Sequence, residues 1–189
     1  MSIDSIRDTV ARLKKRFGEA RTEEICDELK IKILYIPMGQ TPESCKGFFL
    51  RQSRKKVIVL NADLPKSYRR IILPHELGHG VLHGNLAKEC HFHDFELFDE
   101  TSRFEYEANI FAAEFLLPDE EVLTMLNEDM SFFQAAAMLR VPPELLDFKF
   151  RVLKRMGYAI NPPLYPPCIS NTKNQNLHIL QHGGYGGLL

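Results

Sequence analysis

Apolar residues recur at helical spacing near the start of the chain: Ile6, Val10, Leu13 and Phe17 fall on one face among charged neighbours. That period predicts a helix over 4–17, with Gly18 as its stop. A second, short helix is expected from Thr22, as N-cap, to Leu29. The period then changes. Residues 31–36 (IKILYI) are β-branched and aromatic and end at Pro37, which predicts a strand. Residues 38–46 carry Gly, Pro and Ser and read as a loop. Residues 47–50 and 57–60 read as two strands of a hairpin whose tip is the basic run 51–56.

A helix is expected next from about 67 to 83, ended by Gly84-Asn85. Pro74 falls inside it. A mid-helix proline removes one backbone hydrogen bond and clashes with the preceding turn, so a kink or a fresh start is expected there. Residues 85–100 are polar and acidic and read as a loop. A long helix is expected from about 101 to 117, stopped by Pro118, with two or three more over 119–157. This order predicts an α+β fold. A small antiparallel sheet would pack on the 67–83 helix and a helical bundle, followed by a helix-turn-helix-like part. The divisions expected are 1–130 as the main domain, 131–158 as helices packed on it, and 159–189 as a Pro/Gly-rich tail of linker composition.

A chain of 189 residues suffices for one sizeable domain. A net charge of −1 gives no global attraction to nucleic acid or membrane. Charges occupy the N-terminal positions where a signal peptide needs an apolar run, and no apolar run has the length of a membrane span. Cys26, Cys45, Cys90 and Cys168 are scattered with no C-x-x-C pair, which suits reduced thiols in the cytoplasm.

The chemistry concentrates at His75-Glu76-Leu77-Gly78-His79. Helical residues four apart differ by about 40° around the axis and about 6 Å along it, so both imidazoles can close on one ion. Glu76 lines the same site from the side, where it can take a proton from an activated water. Zinc suits this donor set, with another divalent ion as the alternative. A catalytic zinc needs a third protein ligand. His83 lies about 12 Å along the helix from His75, too far for all three to converge. It reads as support for the site or as a helix cap. Position 85 is Asn, which excludes the metzincin histidine. The 101–117 helix is the better source. Its apolar stripe includes Ala108, Phe111, Ala112, Phe115 and Leu116, and Glu105 shares a face with Ala108, Asn109 and Ala112. Asn109 is placed to bond the His75 imidazole and fix its tautomer. Glu107 points away, toward the Glu114 side, and stays open as the alternative ligand. Solvated carboxylates at both positions are the ordinary reading of glutamate. Cys90, His91 and His93 lack a matching pair and read as a loop, not a second metal site.

His75-Glu-Leu-Gly-His79 followed by Glu105-Tyr-Glu-Ala-Asn109-Ile-Phe-Ala112-Ala-Glu-Phe-Leu-Leu-Pro118 resembles the ImmA/IrrE family of zinc metallopeptidases. The resemblance extends upstream through Gly47-Phe-Phe and Val57-Ile-Val-Leu-Asn61 and covers about residues 20–158. It implies a zinc endopeptidase with His75, His79 and Glu105 on the metal and Glu76 as catalytic base. It implies a protein substrate, a helix-turn-helix repressor or antitoxin of phage or mobile-element type, cut after a stress signal. Pro74 departs from the family pattern, where a small residue such as alanine is usual. The alternative is a regulatory protein that inhibits a repressor without cutting it, which would have no need of Glu76. Direct DNA binding would use Lys149, Arg151, Lys154 and Arg155, but the interleaved Leu145, Leu146, Phe148, Phe150 and Leu153 argue for packing. A substrate strand is expected on an exposed edge at 57–61. His91, His93, Tyr68 and Tyr106 are the candidates for a further oxyanion donor.

Overall fold

The computed structural model of the protein describes residues 1–53, 55–84, 92–94, 98, 102–127 and 130–160. Helix α1 (Ile3–Phe17) starts at Ser2, whose hydroxyl accepts the Ser5 N–H, and buries Ile6, Val10 and Leu13. Gly18 ends it with φ +59, a conformation that glycine adopts without strain. Helix α2 (Thr22–Glu28) takes its cap one residue earlier than expected, at Arg21. Arg21 is the N-cap because its N–H donates to the Glu24 carboxylate at 3.0 Å.

Strands β1 (Ile31–Ile36), β2 (Gly47–Gln52) and β3 (Lys55–Asn61) follow. The β2–β3 ladder runs on to Gln52 opposite Lys55, beyond the apolar stretch, because its bonds are backbone bonds. A fourth strand, β4 (Phe92–Asp94), pairs with 47–49 inside the segment expected to be a loop. Three residues are too few to show a period. The architecture is α+β, but the sheet is mixed rather than wholly antiparallel. Its order is β1-β3-β2-β4, with β1 parallel to β3. The loop 37–46 carries the chain past one strand position, and β3 returns into the gap. Buried Asn61 fastens that loop: its amide donates to Gly39 and Cys45 carbonyls at 2.7 and 3.0 Å, and its oxygen accepts from Met38 N–H at 3.1 Å. The expected substrate edge at 57–61 is therefore overturned, since β3 has a strand on each side.

Helix α3 (Lys66–Leu82) runs unbroken through Pro74, so the expected fresh start does not occur. Pro74 is buried within it, and packing against the sheet and the next helix offsets the one lost bond. Helix α4 (Arg103–Leu116) is capped by the Ser102 hydroxyl, which accepts from Phe104 N–H at 3.2 Å. Then come α5 (Asp119–Asn127), α6 (Phe132–Met138) and α7 (Pro143–Arg155). The sheet lies on one side of α3 and α4 on the other. Residues from α1 through α7 join one hydrophobic cluster. No helix among the described residues is long and apolar enough to cross a membrane. The expected tail at 159–189 lies almost wholly outside the described residues, which stop at Ile160.

Helix α7 packs on α4, where Phe148 meets the Tyr106 ring at 5.9 Å. Lys149 is 1% exposed and belongs to this buried side. Its ammonium lies 2.6 Å from Glu114 Oε1 and 2.5 Å from Asp119 Oδ1, and Arg7 reaches Asp119 Oδ2 at 2.7 Å. Arg151 pairs with Asp147 at 2.6 Å. Two of the four cations on the expected basic face are thus engaged within the protein.

Removing one member of a buried ion pair leaves the other charge buried and uncompensated. Lys149→Met should lower unfolding free energy by about 2–4 kcal/mol, below the full cost of an orphaned pair because Arg7 stays near both carboxylates. An unchanged denaturant midpoint would contradict this. Burial alone would raise the Asp119 carboxyl, but the bonds from Lys149 and Arg7 outweigh it and hold it below its ordinary value. A depressed carboxyl stabilises above the unfolded value, about 3.9, and the contribution is lost as pH falls through the folded one. Asp119→Asn should accordingly destabilise at pH 7 and progressively less below about pH 4.

Candidate metal centre

Helix α3 turns His75 and His79, one turn apart, toward α4, and both imidazoles are buried. Glu105, in the first turn of α4, faces them. His75 Nε2 and His79 Nε2 stand 3.1 Å apart. Glu105 Oε2 lies 3.2 Å from the first and 3.4 Å from the second. A tetrahedral ion with bonds of about 2.0–2.1 Å to nitrogen and oxygen spaces its ligand atoms roughly 3.3 Å apart. The three atoms therefore form a triangle of the size that one face of such a shell requires. The rings meet edge to face at 71°, so the contact is not stacking. Two imidazole nitrogens facing each other beside a carboxylate call for positive charge between them. Burial alone would push the Glu105 carboxyl up, but the bonds to His75 and His79 outweigh it and hold it well below the usual range. The donor set fits a divalent cation.

A second layer lies behind His79. Its Nδ1 is 3.2 Å from His83 Nδ1, and His83 Nε2 is 3.0 Å from Glu107 Oε2. Glu107 Oε1 also accepts from Arg103 Nε at 2.8 Å and from the amino terminus. Glu107 was expected to point toward the Glu114 side. On that side it is buried against the C-terminal end of α3, where His83 is the cap residue. Burial would raise its carboxyl, but the bonds from the amino terminus, Arg103 and His83 outweigh it and hold it at about 2. Burial pushes the His83 imidazole below its ordinary value, more than Glu107 raises it. The histidine ladder at 75, 79 and 83 was visible as an i, i+4, i+8 series. The glutamate across from its last member was not, because only the fold shows which helix end Glu107 meets.

Glu76 is fully buried, and Gly47 of β2 lies against it. Asn109 is fully buried on α4, one turn beyond Glu105. Among the expected oxyanion donors, Tyr106 packs on Phe148 in the α4–α7 contact. Tyr68 is half-buried, and burial and then Glu144 raise its hydroxyl. His93 lies in β4 with its backbone opposite Phe48. Cys90 and His91 lie outside the described residues.

The family model of the IrrE N-terminal-like domain, a peptidase family, matches residues 26–151. That span contains His75, Glu76, His79 and Glu105. A protein of Bacillus phage phi105 named uncharacterized immunity region protein 2 is 34% identical over 144 residues, which cover 76% of this chain and 88% of that protein. Metallopeptidase ImmA of Bacillus subtilis (strain 168) is 27% identical over 150 residues, covering 76% of this chain and 83% of that protein.

A Cβ at position 47 would stand 2.8 Å from Ile72 Cγ2, 3.1 Å from Glu76 Oε1 and 3.1 Å from the Val59 carbonyl. Gly47→Ala must move β2 away from α3 and should cost about 1–3 kcal/mol, the usual range for overpacking. Thermal unfolding checks this, and wild-type stability would show that the contact gives way freely.

Proposed function

This chain belongs to the IrrE N-terminal-like family of metallopeptidases, and from that premise we propose a zinc-dependent endopeptidase that cleaves a regulatory protein. The observation that carries the reading is the convergence of His75 Nε2, His79 Nε2 and Glu105 Oε2 within 3.1–3.4 Å, with Glu76 next to His75 on the same helix. His75, His79 and Glu105 would hold the ion, and zinc matches two imidazoles and a carboxylate better than magnesium or calcium would. A bound ion supplies Lewis acidity, lowering the pKa of water and polarising the scissile carbonyl. Glu76 would take the proton of the attacking water and return it to the amine nitrogen as the C–N bond breaks. Residues 1–130 form the catalytic unit in this reading. The helices of 131–158 complete its core through α7, and 159–189 is an appended tail.

The substrate proposed is a helix-turn-helix repressor or antitoxin of phage or mobile-element type, met in the cytoplasm. The phage relative supports this class through its immunity-region name. A protein that only bound such a repressor would not need a carboxylate buried beside the histidines. Glu76→Gln separates the two readings, because it keeps the side chain's shape and removes the proton acceptor. It should retain metal and fold and lose cleavage of a co-expressed repressor substrate by about 10²–10⁴-fold. If Glu76→Gln relieved repression as fully as the wild type, the peptidase reading would fail.

A further inference from the structure

We propose that His83 and Glu107 are positioning residues that fix the tautomer and the aim of His79. The inference rests on the reading of His79 as a metal ligand. A neutral imidazole has one N–H and one lone pair. His79 Nε2 faces His75 and Glu105, at 3.1 and 3.4 Å. Its lone pair must lie there to serve a metal, so its proton must sit on Nδ1. That Nδ1 is 3.2 Å from His83 Nδ1, which must then accept. His83 consequently carries its proton on Nε2, 3.0 Å from Glu107 Oε2. A carboxylate only accepts, so it closes the series. Every link has one direction: changing the tautomer of His79 alone sets two lone pairs face to face, and changing that of His83 alone sets two N–H groups face to face. No proton moves along the series during the reaction.

The anchor is itself held. Arg103 Nε donates to Glu107 Oε1 at 2.8 Å. The side chains of His79, His83 and Glu107 are 0%, 2% and 5% exposed, so water does not compete for these bonds. The Phe104 ring, 5.0 Å away at 68°, sits edge to face with the His83 ring. The series also gives α4 a second carboxylate with a function distinct from the first. Glu105 meets the middle of α3 and Glu107 meets its end. Ligand histidines that bond a carboxylate through the second ring nitrogen lose freedom to rotate or change tautomer. Here one imidazole is interposed between ligand and carboxylate.

The test uses full-length protein, with zinc affinity measured by competition with a chelating dye. His83→Leu should bind zinc about 10–100-fold more weakly than wild type. His83→Gln, whose amide can accept from His79 Nδ1–H and donate to Glu107, should recover most of the loss. His83→Leu binding within twofold of wild type would overturn the proposal, as would His83→Gln binding no better than a folded His83→Leu. A measurement without variants guards against misfolding: ¹⁵N NMR of the zinc-loaded wild type should place the His79 proton on Nδ1 and the His83 proton on Nε2. The opposite assignment at either ring overturns the proposal. Failure of the underlying reading looks different, because then His79→Ala would bind zinc as the wild type does.

Discussion

Gly78 lies where α4 presses on α3, and a Cβ there would stand 3.0 Å from the Phe111 ring. On another side of the same helix, a Cβ at Gly80 would stand 3.0 Å from Phe49 of β2. These two glycines let α3 settle between sheet and helix without side chains to hold the layers apart. Everything at the site depends on that closeness. His75 and His79 come from α3, and Glu105 comes from α4. A side chain wedged between the helices would carry the carboxylate out of reach of both imidazoles. Gly47 applies the same constraint from β2, where it leaves room for Glu76. The two glycines of α3 lower helix propensity by about 1 kcal/mol each relative to alanine, a cost that the packing they permit offsets.

Helix α4 shows how charge is accommodated in this interior. Its glutamates at 105, 107 and 114 would suit a solvated face, yet Glu107 and Glu114 are buried and Glu105 nearly so. An unpartnered buried carboxylate is costly. Each of the three has a partner of its own. Glu105 meets two imidazoles, Glu107 meets His83 and Arg103, and Glu114 meets Lys149. One helix thereby joins the candidate metal centre at its start to the α1–α5–α7 ion cluster near its end. The same pairing explains why the cations of α7 serve the core as well as the surface.

Much of this was legible in the order of residues. Periodicity marked α1 through Ile6, Val10 and Leu13, and β1 was bounded by Pro37. The spacing of His75 and His79, with the inward face of Glu105 and Asn109, pointed to the cluster that the fold assembles. What stayed hidden concerns partners rather than faces. Apolar, β-branched runs mark β1 and β3 as strands, but not that they lie parallel and adjacent, because that depends on the loop held by Asn61. Lys149 lies four residues after Leu145, so its helical position was inward, but lysine chemistry suggested solvent. Pro74 suggested an interruption because propensity ignores the tertiary packing on both sides of α3. The His83–Glu107 contact joins residues 24 apart, and no local pattern encodes it.

Zinc K-edge X-ray absorption on the loaded protein tests the central claim most directly, because it counts and types the atoms around the ion. Two imidazole nitrogens and one or two further oxygen-type scatterers at about 2.0–2.1 Å, with no sulfur, are expected for His75, His79, Glu105 and an open position. The outer-shell signal of one imidazole should disappear in His79→Ala. A sulfur shell near 2.3 Å, a shell of oxygens without imidazole, or a spectrum unchanged by His79→Ala would place the ion elsewhere.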